Sequence, residues 1–266
     1  MMDIIDLKPE FLDTYLCCLE DYSDEIKEGE AHKRRWYQAM KNRGLRVKLA
    51  VADGKAVGMI HYVPIEEGFA EGRDLYFVHC IWVHGYKNKG VGNWQKRGVG
   101  KALLEAAEKD ARGLGAKGLV VWGMPIPVFM RAAWFKKHGY KKADRDGMMV
   151  LLWKPFADDA AAPRWIKMKE KPGGKIKGKV TVDAFIHGWC PSMNMCFERA
   201  KRAAKELGEA VEFRPVETLD RAVFLSRGVA DGLFIDGKAV RTGPPPSYDK
   251  IRRKISKKIE KYKHSS

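Results

Sequence analysis

The 266-residue chain has no apolar run approaching the roughly 20 residues that a membrane-spanning helix needs. Its first residues, Met1-Met2-Asp3-Ile4-Ile5-Asp6, lack the basic cluster that opens a secretory signal. There are only five cysteines, an odd and scattered set, which is not a disulfide framework. Together these absences predict a soluble, cytoplasmic protein. Internal repeats, low-complexity tracts, a metal-ligand cluster and a recognisable nucleic-acid module are missing as well. Acidic charge is scarce: 34 Asp and Glu stand against 50 Lys and Arg, a formal net charge of +16. Residues 156–266 hold 24 Lys and Arg against 14 Asp and Glu, so the surplus is heavier towards the C-terminus. A basic surface attracts polyanions. Because the lysines are spread along the chain, a phosphate-rich small ligand is the expected beneficiary, and nucleic acid is not the expected partner.

What is present is enough apolar material, 45% of residues with 11% aromatic, to build two cores. Asp3–Leu7 reads as a strand, and Phe11, Leu12, Tyr15, Leu16 and Leu19 recur at helical spacing. A second amphipathic stretch runs from about Glu25 to Asn42. Val47–Val51 and Ala56–Val63 read as a hairpin around Ala52-Asp53-Gly54-Lys55. Leu75–Val83 is the most apolar strand and suits a central position. A helix over Gly100–Leu114, a buried strand over Gly118–Gly123, a helix over Val128–His138 and a hairpin over Tyr140–Trp153 follow. Composition then breaks at Pro155–Pro163, and Lys171–Lys179 reads as linker. The pattern restarts as Val180–Ile186, Asn194–Leu207, Val211–Val216, Asp220–Arg227, a hairpin around Gly237 and a basic helix over Tyr248–Tyr262. That is a βαβαββα order. The expected domains are residues 1–156 and 180–266, joined by a linker over 157–179.

Gln95-Lys96-Arg97-Gly98-Val99-Gly100 lies between the central strand and the helix that opens near Gly100. Glycines let a backbone turn closely around an anion. N–H groups of a first helical turn, with the helix dipole, then favour phosphate. Lys96, Arg97 and Lys101 add positive charge. A similar run, Lys89-Gly90-Val91-Gly92, lies just upstream. It leads into Asn93-Trp94-Gln95 rather than an amphipathic helix, so the second run is preferred.

This Gln-x-x-Gly-x-Gly run, between an apolar strand and a helix, resembles the acetyl-CoA motif of GNAT acetyltransferases. Phe77–Val83 matches that family's fourth strand, and Ala132–Tyr140 its late helix, over roughly residues 1–156. The resemblance implies an α/β (α+β) acyl-CoA N-acyltransferase fold that takes acetyl-CoA as cosubstrate and an amine as acceptor. Pantetheine would lie between strands 75–83 and 118–123, pairing with backbone near Ile81 and Val83. The pyrophosphate would sit on Gln95, Lys96, Arg97, Gly98, Val99, Gly100 and Lys101, with Phe135 beside the cofactor. Two positions depart from the family pattern. Phe135 stands where a proton-donating Tyr is usual, and Val128 aligns with a frequent Asn. Tyr86–Trp94 is also a longer connection than usual and could shape the acceptor pocket.

Acetyl transfer to an amine needs a neutral nucleophile, a stabilised oxyanion and a protonated leaving thiolate. His79 on the central strand is the catalytic candidate, with a core histidine as the alternative. Strand alternation groups it with Phe77, Ile81 and Val83, leaving Cys80 opposite with Trp82 and His84. Cys80 and Tyr140 read as packing. Glu66 and Glu67 could face an amine, or simply be solvated.

In the second domain Trp189-Cys190-Pro191-Ser192 joins a strand to a helix, where a thiolate gains from the dipole. The element order and this Trp-Cys pair resemble the thioredoxin fold. Cys190–Cys196 and the run from Leu233 to Ser247 are similar to the YoaP-like domain found behind GNAT domains. Met193 occupies the resolving-cysteine position of redox thioredoxins, and no proline stands at Asp231 or Gly232. Cys190 is therefore a candidate for one-cysteine thiol chemistry, with a docking module as the alternative.

Overall fold

A computed structural model describes residues 2–126, 129–169, 172–174 and 176–263. The chain divides into two units, Met1–Tyr22 with Tyr37–Ile166, and Ser23–Trp36 with Lys167–Ser266. In chain order the elements are β1 (Met2–Asp6), α1 (Leu12–Leu16), α2 (Asp24–Lys27), α3 (Glu30–Met40), β2 (Arg46–Ala52), β3 (Lys55–Pro64), β4 (Ala70–Glu71) and β5 (Leu75–Val83). Next come α4 (Val99–Gly113), β6 (Gly118–Gly123), α5 (Ala132–Lys137), β7 (Lys141–Asp146), β8 (Met149–Pro155) and β9 (Arg164–Trp165). The remainder is β10 (Val180–Ile186), α6 (Pro191–Leu207), β11 (Val211–Glu217), α7 (Arg221–Arg227), β12 (Gly232–Ile235), β13 (Lys238–Val240) and α8 (Tyr248–Lys263).

The first unit is built on a seven-stranded sheet in the order β1-β2-β3-β5-β6-β8-β7, with β5 at its centre as its apolar sequence requires. β5 runs parallel to β6, and all other neighbours in this sheet are antiparallel. α4 lays Val99, Leu103, Leu104, Ala107 and Ala111 on the sheet, a spacing that keeps them on one helical face. Asp110 on the same helix accepts bonds from Arg46 (2.9 and 3.0 Å), Lys48 (3.0 Å) and Tyr62 (2.7 Å), tying α4 to β2 and β3. Burial alone would raise the Asp110 carboxyl, but these donors outweigh it and hold the group at about 2.

Several expected boundaries shift. The helix expected over Val128–His138 is only Ala132–Lys137, because residues 129–131 lie in a bend and bridge; Val128 itself falls outside the described residues. The stretch expected as one helix over Glu25–Asn42 breaks at Gly29. A Cβ there would sit 2.7 Å from that of Asn194, whose amide donates to the Gly29 carbonyl (3.0 Å), so close approach to α6 demands glycine. Part of the expected linker is folded: β9 pairs with β4, and the Trp165 N–H donates to Asp144 (3.0 Å). Lys171 and Lys175 lie outside the described residues.

The second unit has a four-stranded sheet, β11-β10-β12-β13, with β10 and β11 parallel and the other pairs antiparallel. Val180, Val182, Ala184 and Ile186 face α6 and α8, against Cys196, Ala200, Ala203, Ile251 and Ile255. Among the described residues, no helix is long and apolar enough to cross a membrane, and no group of three His, Cys, Asp or Glu could hold a metal ion.

Candidate functional site

β5 and β6 start side by side but do not stay together. Their pairing runs only from Leu75↔Gly118 to Phe77↔Val120, while the strands continue to Val83 and Gly123. The divergence begins at a β-bulge. His61 pairs with Cys80 and Tyr62 with Val78, so His79 is the extra residue on β5. This corrects the expected alternation. Tyr76, Val78, Ile81 and Val83 pack against the α4-side core, whereas Phe77 belongs to the core on the other face. His79 shares the Phe77 side. It is fully buried, with its ring 4.6 Å from Phe69 and 5.3 Å from Phe77, and its carbonyl accepts from the Trp122 indole (2.8 Å). The arrangement is that of a packed core histidine.

The open end of the gap meets the start of α4, and it is the second glycine run that leads into this helix. Gly98 is the N-cap with φ +82°, a conformation an L side chain avoids, and Lys96 is also left-handed at φ +62°. The first helical bond runs from the Ala102 N–H to the Gly98 carbonyl (3.0 Å), so the N–H groups of Val99, Gly100 and Lys101 precede the internal ladder. A Cβ built on Gly98 would meet nothing within 4 Å, and one on Gly100 would lie 3.5 Å from the Trp134 ring. The space beside Gly98 is open, and that beside Gly100 is bounded by the Trp134 ring and Val83. Lys96, Arg97 and Lys101 are exposed around it, with Arg97 stacked 4.9 Å over Trp94. Gln95 does not point to this mouth alone: its amide donates to the Val83 carbonyl (3.2 Å) at the end of β5. Ile81 and Val83 are partly buried along the edge that β6 leaves.

Phe135 requires a correction. Rather than lining the cofactor, it is fully buried in the α4-side core, against Tyr140 at 5.8 Å, and offers no surface to a ligand. α5 is short, so its register turns Trp134 towards Gly100 instead. Trp134 is half-buried, and His138 stacks on it at 4.3 Å.

Residues 9–140 match the family model described as the acetyltransferase (GNAT) family. The match takes in 132 of the 266 residues, just under half of the chain. That match supports an acetyl-CoA-dependent N-acyltransferase, with acetyl-CoA as cosubstrate. No curated protein matches the chain. Among solved structures, it is similar to the PaiA N-acetyltransferase of Thermoplasma acidophilum in complex with coenzyme A, at 18% identity and TM-score 0.44, over 59% of this chain and 99% of that one. It is also similar to a GNAT family acetyltransferase of Brucella melitensis in complex with acetyl-CoA, at 17% identity and TM-score 0.43, over 62% and 96%. A third is aminoglycoside 6'-acetyltransferase type Ii, at 16% and 0.43, over 58% and 96%.

Around the gap lie groups that the sequence did not reveal. The inserted segment 86–94 is organised by His84, which is fully buried. His84 Nδ1 bonds the Gly92 carbonyl (2.6 Å), its own carbonyl accepts from Trp94 (2.8 Å), and Nε2 bonds the Tyr22 hydroxyl (3.1 Å). A carbonyl can only accept, so Nδ1 carries a proton. Burial, with Glu20 and Tyr86 nearby, pushes Tyr22 up to about 12. Glu20 is half-buried, and burial raises its carboxyl against the pull of Lys89. Trp82 joins this group through Tyr86 (6.5 Å) and Phe129 (5.9 Å), and Phe129 contacts Trp122 at the gap (6.0 Å). No local sequence pattern links positions 20, 22, 84 and 129. Only the fold brings them together. Of the carboxylates singled out from sequence, Glu66 is exposed and Glu67 pairs with Arg43 at 3.5 Å.

In the second unit Cys190 is the N-cap of α6, half-buried, with Pro191 at the first helical position as expected. Asp231 holds the approach to it by accepting from the His187 N–H (2.9 Å) and the Trp189 indole (2.7 Å). Cys196 lies within the helix, and burial pushes its thiol up to about 11.

Proposed function

We propose that the protein acetylates a primary amine, binding acetyl-CoA in the β5/β6 gap. Pantetheine would lie along Ile81 and Val83, and the pyrophosphate at Lys96, Arg97, Gly98, Val99, Gly100 and Lys101, with Trp134 in place of Phe135 at the rim. The observation that carries this reading is the coincidence of two features: strands that separate after Phe77 and Val120, and a left-handed glycine N-cap at the mouth they open. Backbone groups there can bind an anion and polarise a thioester carbonyl without side-chain chemistry. Proton handling is assigned to Glu20 rather than to the enclosed His79, since a raised carboxyl near water suits a general base. Calorimetric titration with acetyl-CoA, followed by an amine panel read as released thiol, tests the reading. Glu20→Gln should lower kcat at least tenfold with acetyl-CoA affinity unchanged; unchanged turnover would remove Glu20 from the mechanism.

The second unit is proposed to be a thioredoxin-like, YoaP-like module for docking or thiol chemistry, supported by its βαβαββα order and by Cys190 at a helix N-cap. That N-cap also favours a second reading, a thiol-dependent sensor whose GNAT domain binds CoA without efficient transfer. Full acetyl transfer in Cys190→Ser would exclude it; loss of a thiol-linked response with slow transfer in the wild type would favour it. The protein is proposed to act in the cytoplasm.

A further inference from the structure

The second unit contains a cavity that acetyl transfer leaves unused. Because β10 turns Val182, Ala184 and Ile186 to the helices α6 and α8, strand alternation sends Asp183 and Phe185 to the opposite face. β11 lies parallel to it and in register, so Arg214 stands beside Asp183 and Val216 beside Phe185. Arg227 at the end of α7, Val229, and the segment Pro172–Gly174 complete the walls of a cavity of about 290 Å³.

Its polar floor is incomplete. Asp183 is 5% exposed, and its Oδ1 lies 3.7 Å from Arg214 Nη1. Its Oδ2 is buried and has no hydrogen-bond donor among the described residues. A buried carboxylate oxygen without a donor is costly, so the site is built for a donor that arrives from outside. Oδ2 faces the 172–174 wall: a Cβ on Gly173, which has φ +99°, would sit 2.9 Å from it. Arg214 gives one N–H to the Gly174 carbonyl (3.1 Å) and has others to offer, since a guanidinium carries five. Arg227 is close enough for its charge to act on Asp183. The remaining walls, Phe185, Val216 and Val229, are apolar.

A negative group and two positive groups side by side, between apolar walls, complement a small zwitterion that carries an apolar tail. We propose that this cavity binds a free α-amino acid with an apolar side chain. Asp183 accepts from the ammonium, Arg214 and Arg227 hold the carboxylate, and Phe185, Val216 and Val229 receive the side chain. A charged side chain would be desolvated there without a partner and is rejected. None of these residues belongs to the acyl-transfer site, so the binding stands or falls apart from it.

Calorimetry on the full chain tests this with L-leucine, L-isoleucine, L-valine and L-phenylalanine, and with N-acetyl-L-leucine and L-leucinamide as blocked analogues. At least one free amino acid should bind, and its analogues lacking the ammonium or the carboxylate charge should bind at least tenfold more weakly. Asp183→Asn should abolish binding. Arg227→Gln, a change at an exposed helix end, should weaken it at least fivefold while acetyl-CoA titration stays the same. Absence of binding across the four amino acids overturns the proposal, as does equal binding of the blocked analogues. Should Asp183→Asn fail to fold, as seen by circular dichroism, unchanged affinity in Arg227→Gln still overturns it.

Discussion

Gly98 shows how much one backbone conformation can decide. At φ +82° a β-branched residue is strained, yet a Cβ there touches no protein atom. Gly98→Val should therefore act mainly through the ligand. Acetyl-CoA affinity measured by calorimetry should fall at least tenfold, with a stability loss of about 1–2 kcal/mol from the left-handed conformation. Unchanged affinity would remove the phosphate from this turn. Phe135 illustrates the opposite case. Reading it as a lost acid suggests that Phe135→Tyr would restore turnover, but its full burial predicts a hydroxyl forced into an apolar core. The expected outcome is a stability loss of about 1–3 kcal/mol with no gain in kcat, and for Phe135→Ala a loss of about 3–5 kcal/mol. The two α6 cysteines should also separate. With Cys196 pushed up to about 11, little of it is thiolate at pH 8, so iodoacetamide should label Cys190 at least tenfold faster. Equal rates would leave Cys190 as a packing residue.

Between elements, the firmest tie is α4 to its sheet. Asp110 receives three cationic or hydroxyl partners from β2 and β3, so Asp110→Ala leaves Arg46 and Lys48 with the more exposed Asp6 as their shared carboxylate. A loss of about 2 kcal/mol is expected, seen as a lower denaturant midpoint with an unchanged slope. Since α4 also carries the glycine turn proposed to bind the pyrophosphate, the variant should weaken acetyl-CoA binding only as far as it loosens that helix. The α4 helix was legible from its Ala and Leu spacing to within a residue. α5 was not, because three of its expected positions are consumed by the turn that brings Met130 and Arg131 back to Met124.

Across the whole molecule, buried titratable groups set opposing responses to acid. Asp110 is held at about 2, below its unfolded 3.8, so its contribution is present above 3.8 and is lost as pH falls towards 2. Burial, with Arg221, lowers His187 to about 3 from 6.5. The unfolded chain takes up that proton first, so stability of the second unit falls between pH 6.5 and 3. Burial raises Asp231 from 3.8 to about 6, despite the His187 and Trp189 donors, and this group favours folding as pH drops from 6 to 3.8. Asp231→Asn removes that opposing gain. Its urea midpoint should therefore fall more steeply than wild type between pH 6 and 4, and parallel curves would show that Asp231 is not buried as described.

Composition and periodicity alone determined the two α/β regions, the central apolar strand, the glycine turn leading into an amphipathic helix and the βαβαββα order of the C-terminal part. These are local properties: each depends on residues a few positions apart, which periodicity and turn chemistry report directly. The β-bulge at His79 was invisible, because it arises from the register of β5 against β3, and one extra residue reverses which side chains face α4. That Trp134 rather than Phe135 lies beside Gly100 followed from where α5 starts. The meeting of Glu20, Tyr22 and His84 joins segments more than sixty positions apart. Likewise, Ser23–Trp36 belongs with the second unit because Gly29 lets the chain approach Asn194 of α6. Such pairings depend on how side chains from distant segments fill shared space, and only the folded chain specifies that.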